Sequence, residues 1–237
     1  MTSCSGDDKF EKSQLQIKGS AMRQVPAEKY NIAWFKLAEF VARGEKERAL
    51  GIYRLLIHSF DDKAFSYQLE GDLLSAFNDE SARDKYLSAA QLYHKEGRID
   101  EAIAMYEVLV CLMPSHLPHA QQLLSLYEST KNVQALLRIA QLIQEIHLSK
   151  KDLNSAEQLR ERCKRTTSPQ DYFALCEHAV LSLIKHEMPN EDIKKTLDCA
   201  LVAALDNVEP NALQQFLSTL QAVDKNYWLL ATQLLQK

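Results

Sequence analysis

Between Tyr86 and Pro114, aromatic, small and chain-turning residues fall at fixed intervals: Tyr86-x2-Ala89-Ala90-x2-Tyr93, then Gly97, then Ala102-x3-Tyr106, then Pro114. Steps of three and four residues put Tyr86, Ala89, Ala90 and Tyr93 along one side of a helix, and Ala102 and Tyr106 along one side of a second. Alanines on facing helices let two backbones approach closely, and the rings fill the gaps beside them. Gly97 stands where the intervening turn needs a residue tolerant of positive φ. Pro114 closes the second helix because it has no N–H to donate. The spacing predicts an antiparallel helix pair.

The set recurs. Trp34-x2-Leu37-Ala38-x2-Val41 leads through Gly44 to Ala49-x3-Tyr53. Shifted by 33 residues, Tyr67-x2-Glu70-Gly71-x2-Leu74 leads to Ala82-x3-Tyr86. Shifted by 33 from Tyr86, His119-x2-Gln122-Leu123-x2-Leu126 leads to Ala135-x3-Ile139, where an aliphatic residue takes the aromatic slot. Slot by slot, the pattern resembles the tetratricopeptide repeat over roughly residues 30–148. The resemblance implies an all-α fold, a right-handed α-solenoid of antiparallel helix pairs. The sets starting at Trp34 and Tyr67 are out of step with those starting at Tyr86 and His119 by 19 residues, about one helix and its turn. Tyr86 is claimed both as a second-helix aromatic and as a first-helix aromatic: either residues 80–96 play a dual role, as a helix that packs on both neighbours can, or one of the two matches is accidental.

Apolar periodicity and terminal punctuation predict about twelve helices: 28–43, 45–59, 62–77, 80–96, 98–112, 116–130, 132–148, 152–165, 169–186, 190–206, 209–222 and 225–236. Ser168-Pro169-Gln170-Asp171 supplies an N-cap, a first-turn proline and a capping-box acid. Pro189-Asn190-Glu191-Asp192 and Glu209-Pro210-Asn211 punctuate in the same way. Residues 1–27 read as a flexible tail, 28–150 as the repeats, and 151–237 as divergent helical repeats with a C-terminal cap. Six glycines and six prolines leave little material for hairpin turns, which agrees with a helical chain.

Charge and cysteine usage narrow the function classes. Lys plus Arg total 28 against 32 Asp plus Glu, a formal charge of −4, which argues against nucleic-acid binding for want of a cationic face. The five cysteines are odd in number and scattered, so reduced thiols and a cytoplasmic setting are expected. The N-terminal residues lack the apolar run of a secretory signal, and no window approaches the length of apolar chain that spans a bilayer.

Gly-x-Gly-x-x-Gly and the phosphate-loop pattern are absent. His186-Glu187 opens a zinc-protease-like string, but Asn190 holds the second histidine slot. Cys111 with His116 and His119 is the nearest metal candidate, and its spacing matches no common zinc site. Cys176-Glu177-His178 pairs a thiol with a base, yet neighbours on a helix point apart. No enzyme activity, metal or cofactor is expected.

What remains is a binding surface. In tetratricopeptide proteins the first helix of each pair lines a concave groove, and the resemblance carries that lining onto Phe35, Glu39, Ala42 and Arg43 after Trp34. It likewise implies Gln68, Asp72, Ser75 and Ala76 after Tyr67, and Leu87, Gln91, His94 and Lys95 after Tyr86. Chaperone-docking members grip a peptide's terminal carboxylates with Lys and Asn in these slots; here Phe35, Glu39, Gln68 and Asp72 occupy them. Two carboxylates repel an acidic peptide end, so the expected partner is a polar or basic peptide or helix. The alternative is a structural subunit of an assembly or homodimer, docking through C-terminal helices that carry few charges. That role would resemble the soluble NSF-attachment proteins of membrane traffic.

Overall fold

The computed structural model describes residues 27–205 and 209–236. The expected tail at 1–27 lies outside the described residues save for its last position, and so does the end of the helix expected at 190–206. Among the described residues there are twelve α-helices and no strand. They are α1 (Ala27–Ala42), α2 (Lys46–Ile57), α3 (Lys63–Ala76), α4 (Ala82–Lys95), α5 (Ile99–Leu112), α6 (Leu117–Thr130), α7 (Val133–Ser149), α8 (Leu153–Lys164), α9 (Pro169–Lys185), α10 (Asn190–Leu205), α11 (Pro210–Val223) and α12 (Lys225–Leu234). Each falls within two residues of its expected bounds, the C-terminal bound of α10 apart.

The ends follow from side-chain chemistry. Asp62, Asn132, Asp152 and Ser168 each accept a backbone N–H three residues on, and Asp224 accepts from Asn226 and Tyr227. Pro169 and Pro210 occupy first helical turns, where no N–H is missed. Gly97 turns the chain between α4 and α5 at φ +76°. Asn78, Lys131, Lys151 and Glu187 take the same left-handed conformation with side chains attached, a departure from glycine's usual monopoly of that region.

The chain divides into two compact units, the first ending at Met113 and the second beginning at Pro114. In the first, α1 packs on α2, α3 on α4, and α4 on α5. Tyr86, Ala89, Ala90 and Tyr93 of α4 are all buried, as are Ala102 and Tyr106 of α5. Trp34, Phe40, Phe60 and Phe77 close over the α1–α2 core of Leu37, Ala49, Tyr53 and Leu56. One contact sets the spacing between α3 and α4. A β-carbon on Gly71 would stand 2.9 Å from two carbons of the Tyr86 ring. Gly71 is thus the residue that lets that ring lie against the backbone of α3.

The second unit is organised around α9, which packs on α7, α8, α10 and α11. Its core holds Phe173, Cys176, Val180, Leu197, Ala200, Phe216 and Leu220, with the Phe173 and Phe216 rings edge to face at 5.8 Å. Leu148, Ala156, Leu183, Met188 and Ile193 form a neighbouring cluster. No helix of the described residues is long and apolar enough to cross a membrane.

Candidate partner-binding surface

α3 carries an uninterrupted alternation of polar groups, and three tyrosines reach for it. Tyr53 of α2 donates to the Ser66 carbonyl at 2.9 Å and to Glu70 at 3.3 Å. Tyr86 donates to Asp72 Oδ1 at 2.8 Å, and Tyr93 to Gln68 Oε1 at 2.7 Å, both from α4. In each case the ring is buried and the hydroxyl satisfies a polar group at the edge of the interface. Burial raises the phenolic pKa of all three, and the neighbouring carboxylates of Glu70 and Asp72 raise those of Tyr53 and Tyr86 further. The hydroxyls remain protonated donors. Burial also pushes the Asp72 carboxyl up to about 6, against the opposing pull of the Tyr86 hydrogen bond.

These bonds decide what the expected groove residues can do. Gln68, Asp72 and Ser75 of α3 are half-buried, and the first two already hold a tyrosine hydroxyl. On α4, Leu87 is half-buried while Gln91, His94 and Lys95 are exposed. On α1, Phe35 is 76% exposed, and Glu39 forms an exposed i,i+4 pair with Arg43 at 2.6 Å. The set is therefore of two kinds: Gln68 and Asp72 are engaged between helices, whereas Phe35, Glu39, Arg43, Gln91, His94 and Lys95 face water. The Glu39–Arg43 pairing also means that α1 offers a dipolar pair rather than a bare carboxylate.

Sequence reasoning missed two exposed apolar residues of the first unit. Ile32 is 55% exposed and lies three residues before Phe35, on the same side of α1. Leu55 of α2 is 71% exposed. The i,i+3 spacing of Ile32 and Phe35 was a legible signal. Leu55 was legible as well, because Ala49, Tyr53 and Leu56 fall at steps of four and three on the inward side and leave Leu55 off it.

The rejected chemical motifs have clear environments. Cys176 is fully buried and its thiol pKa is pushed to about 11 by that burial, which disfavours the nucleophilic thiolate. His178 beside it pairs through Nδ1 with the Gln144 amide at 3.0 Å, and burial lowers its pKa. His116 and His119 place their rings 3.9 Å apart, and burial together with the His116 neighbour lowers the pKa of His119. Among the described residues, no group of three or more His, Cys, Asp or Glu side chains is placed to hold a metal ion. No protein-family model matches the chain, and no curated protein matches it.

Proposed function

We propose that this chain is a tetratricopeptide-like interaction module of the cytoplasm: a right-handed superhelical stack of helix pairs that binds a peptide or helix of a protein partner, without catalysis. The observation that carries the reading is the seating of the Tyr86 ring on Gly71, at the small-residue slot of the recurring motif. Helices interlocked in this way have little freedom to move, so side chains that point away from the interlock are presented as a fixed array. Phe35 offers the apolar anchor of that array. Glu39, Arg43, Gln91, His94 and Lys95 supply its polar margin, suited to a polar or basic segment rather than an acidic C-terminus.

The test uses residues outside the interlock. Asp72 is unsuitable for charge reversal because its carboxylate holds the Tyr86 hydroxyl. Phe35→Asp combined with Glu39→Arg, both exposed, should reduce partner capture in pull-downs at least about tenfold, the equivalent of one 1.4 kcal/mol anchor. The melting temperature should stay unchanged. Undiminished capture would remove Phe35 and Glu39 from the binding surface.

A second reading rests on a separate observation. In α10–α12, Val202, Leu205, Val223 and Leu229 are 60%, 72%, 53% and 49% exposed. Apolar side chains left open in this number favour permanent docking into an assembly or onto a second copy of the chain, in the manner of an NSF-attachment-like subunit. Light scattering decides it. An oligomer that becomes monomeric on Val223→Asp with Leu229→Asp supports this reading, and a monomeric intact chain rejects self-association.

A further inference from the structure

The second unit contains a crevice that its fold leaves chemically incomplete. It runs beside α9 between Tyr172 and Leu183 and is walled by α8 and α10. Arg160 of α8 lines it and is 8% exposed. Its Nη1 is fully buried and has no hydrogen-bond partner among the described residues. A guanidinium withdrawn from water is costly unless an anion or acceptor replaces its hydration. The other deep lining groups are neutral: Tyr172, Leu183 and Thr196 are all buried. Arg160 is therefore the charge of the floor.

The rim has the opposite character. Glu157 pairs with Lys195, 2.9 Å away, in a bridge from α8 to α10, and its carboxylate also lies within the field of Arg160 without bonding its Nη1. Glu161 and Asp192 remain at the margin, exposed and half-buried. These carboxylates share the crevice lining with Arg160, which penalises a dianion more than a monoanion. A planar carboxylate also matches the guanidinium fork.

We propose that this crevice binds a carboxylate-bearing ligand, with Arg160 as the anion-binding residue and Thr196, on the same lining, as a neutral hydroxyl donor. The site belongs to the second unit and does not depend on the groove proposed for the first.

The experiment compares thermal unfolding of the full chain in N-acetylglycine, in N-acetylglycinamide, in inorganic phosphate and in chloride, at matched ionic strength. N-acetylglycine at about five times its Kd should raise the midpoint by about 2–4 °C over the amide. Arg160→Met should abolish that difference. Equal midpoints in the acid and the amide overturn the proposal, and so does a difference that survives in R160M. A rise with phosphate as large as that with N-acetylglycine overturns the choice of carboxylate. Should R160M fail to fold, arginine side-chain NMR of the unaltered chain decides. A guanidinium resonance that moves with N-acetylglycine and not with the amide supports the site, and unmoved resonances overturn it.

Discussion

The two units bury their helices by different means. In the first, aromatic rings lie on small residues and finish in hydroxyls: Tyr86 sits on Gly71 and donates to Asp72, Tyr93 donates to Gln68, and Tyr53 to Ser66. Charge reinforces the same edges, with Arg98 bridging to Asp62 at 2.7 Å while its guanidinium lies 4.3 Å from the centre of the Tyr93 ring. In the second unit the large side chains buried below 2% exposure are mostly aliphatic or phenyl, among them Phe173, Phe216, Leu148, Leu183, Leu197 and Leu220. A ring-on-glycine contact admits one residue type, whereas an aliphatic cluster accepts many combinations of similar volume. That difference explains why the recurring motif is sharp between Trp34 and Tyr106 and fades where Leu, Ile and Val do the packing.

The largest loss of stability is expected from the core of the second unit. Phe173 is 1% exposed and has Phe216 against its ring. Phe173→Ala should cost about 3–5 kcal/mol, because the cavity adds to the lost transfer free energy. Trp34 lies in the first unit and Trp228 in the second, and they are the two tryptophans of the chain. Chains carrying W34F or W228F therefore report each unit's unfolding by the remaining tryptophan. The loss in F173A should be read by Trp228; an equal loss at Trp34 would mean that the units unfold as one.

Next in size is the ring-on-glycine contact. Gly71→Ala places a methyl 2.9 Å from the Tyr86 ring. The ring is buried and its hydroxyl is tied to Asp72, so it cannot retreat without losing that bond. The cost should be about 1–3 kcal/mol, the usual range for overpacking, read by Trp34 in urea unfolding. Tyr86→Leu, which removes the ring, should spare much of that loss in the double variant. An additive double variant would show that the two residues do not meet.

Much of this architecture was legible in the sequence, and what was not has a physical cause. Helix ends announce themselves through local chemistry, as at Ser168-Pro169 and Gly97, and so could be placed within two residues. Close approach was legible too, because Gly71, Ala90 and Ala102 are small at positions where the pattern repeats. The fate of Gln68 and Asp72 was not. Their spacing along α3 puts them on one face, but whether that face meets solvent depends on where the tyrosine hydroxyls of α4 end. An antiparallel hairpin brings early residues of one helix to late residues of the next, as it does Gln68 to Tyr93 and Asp72 to Tyr86. Arg160 was hidden for a further reason: on the amphipathic α8, an arginine reads as a solvent-facing residue, and its burial depends on α9 and α10, remote in the chain.

The smallest expected effect separates the units by sign. Asp72 has its pKa raised from the ordinary 3.8 to about 6 by burial, so the fold prefers the protonated acid. As pH falls through about 6 toward 3.8, the folded first unit takes up a proton that the unfolded chain does not yet hold, and this group's contribution to stability increases. Glu145 of α7 behaves oppositely. Burial by itself would raise its pKa, but hydrogen bonds from Lys185, Ser182 and His186 outweigh that and hold it at about 2, below the ordinary 4.5. Its contribution is present above 4.5 and is lost as pH falls toward 2, and solvent around Lys185 keeps it modest. Two substitutions isolate the two groups. Asp72→Asn should stabilise the first unit slightly at pH 7, by about 1 kcal/mol or less, and remove the gain that Trp34 reports between pH 7 and 5. Glu145→Gln should leave that gain intact and flatten the loss that Trp228 reports below pH 4.5. If D72N leaves the Trp34 profile unchanged, the buried Asp72–Tyr86 pair is not the source of the first unit's pH dependence, and the contrast in how the two units hold their polar groups fails at its clearest point.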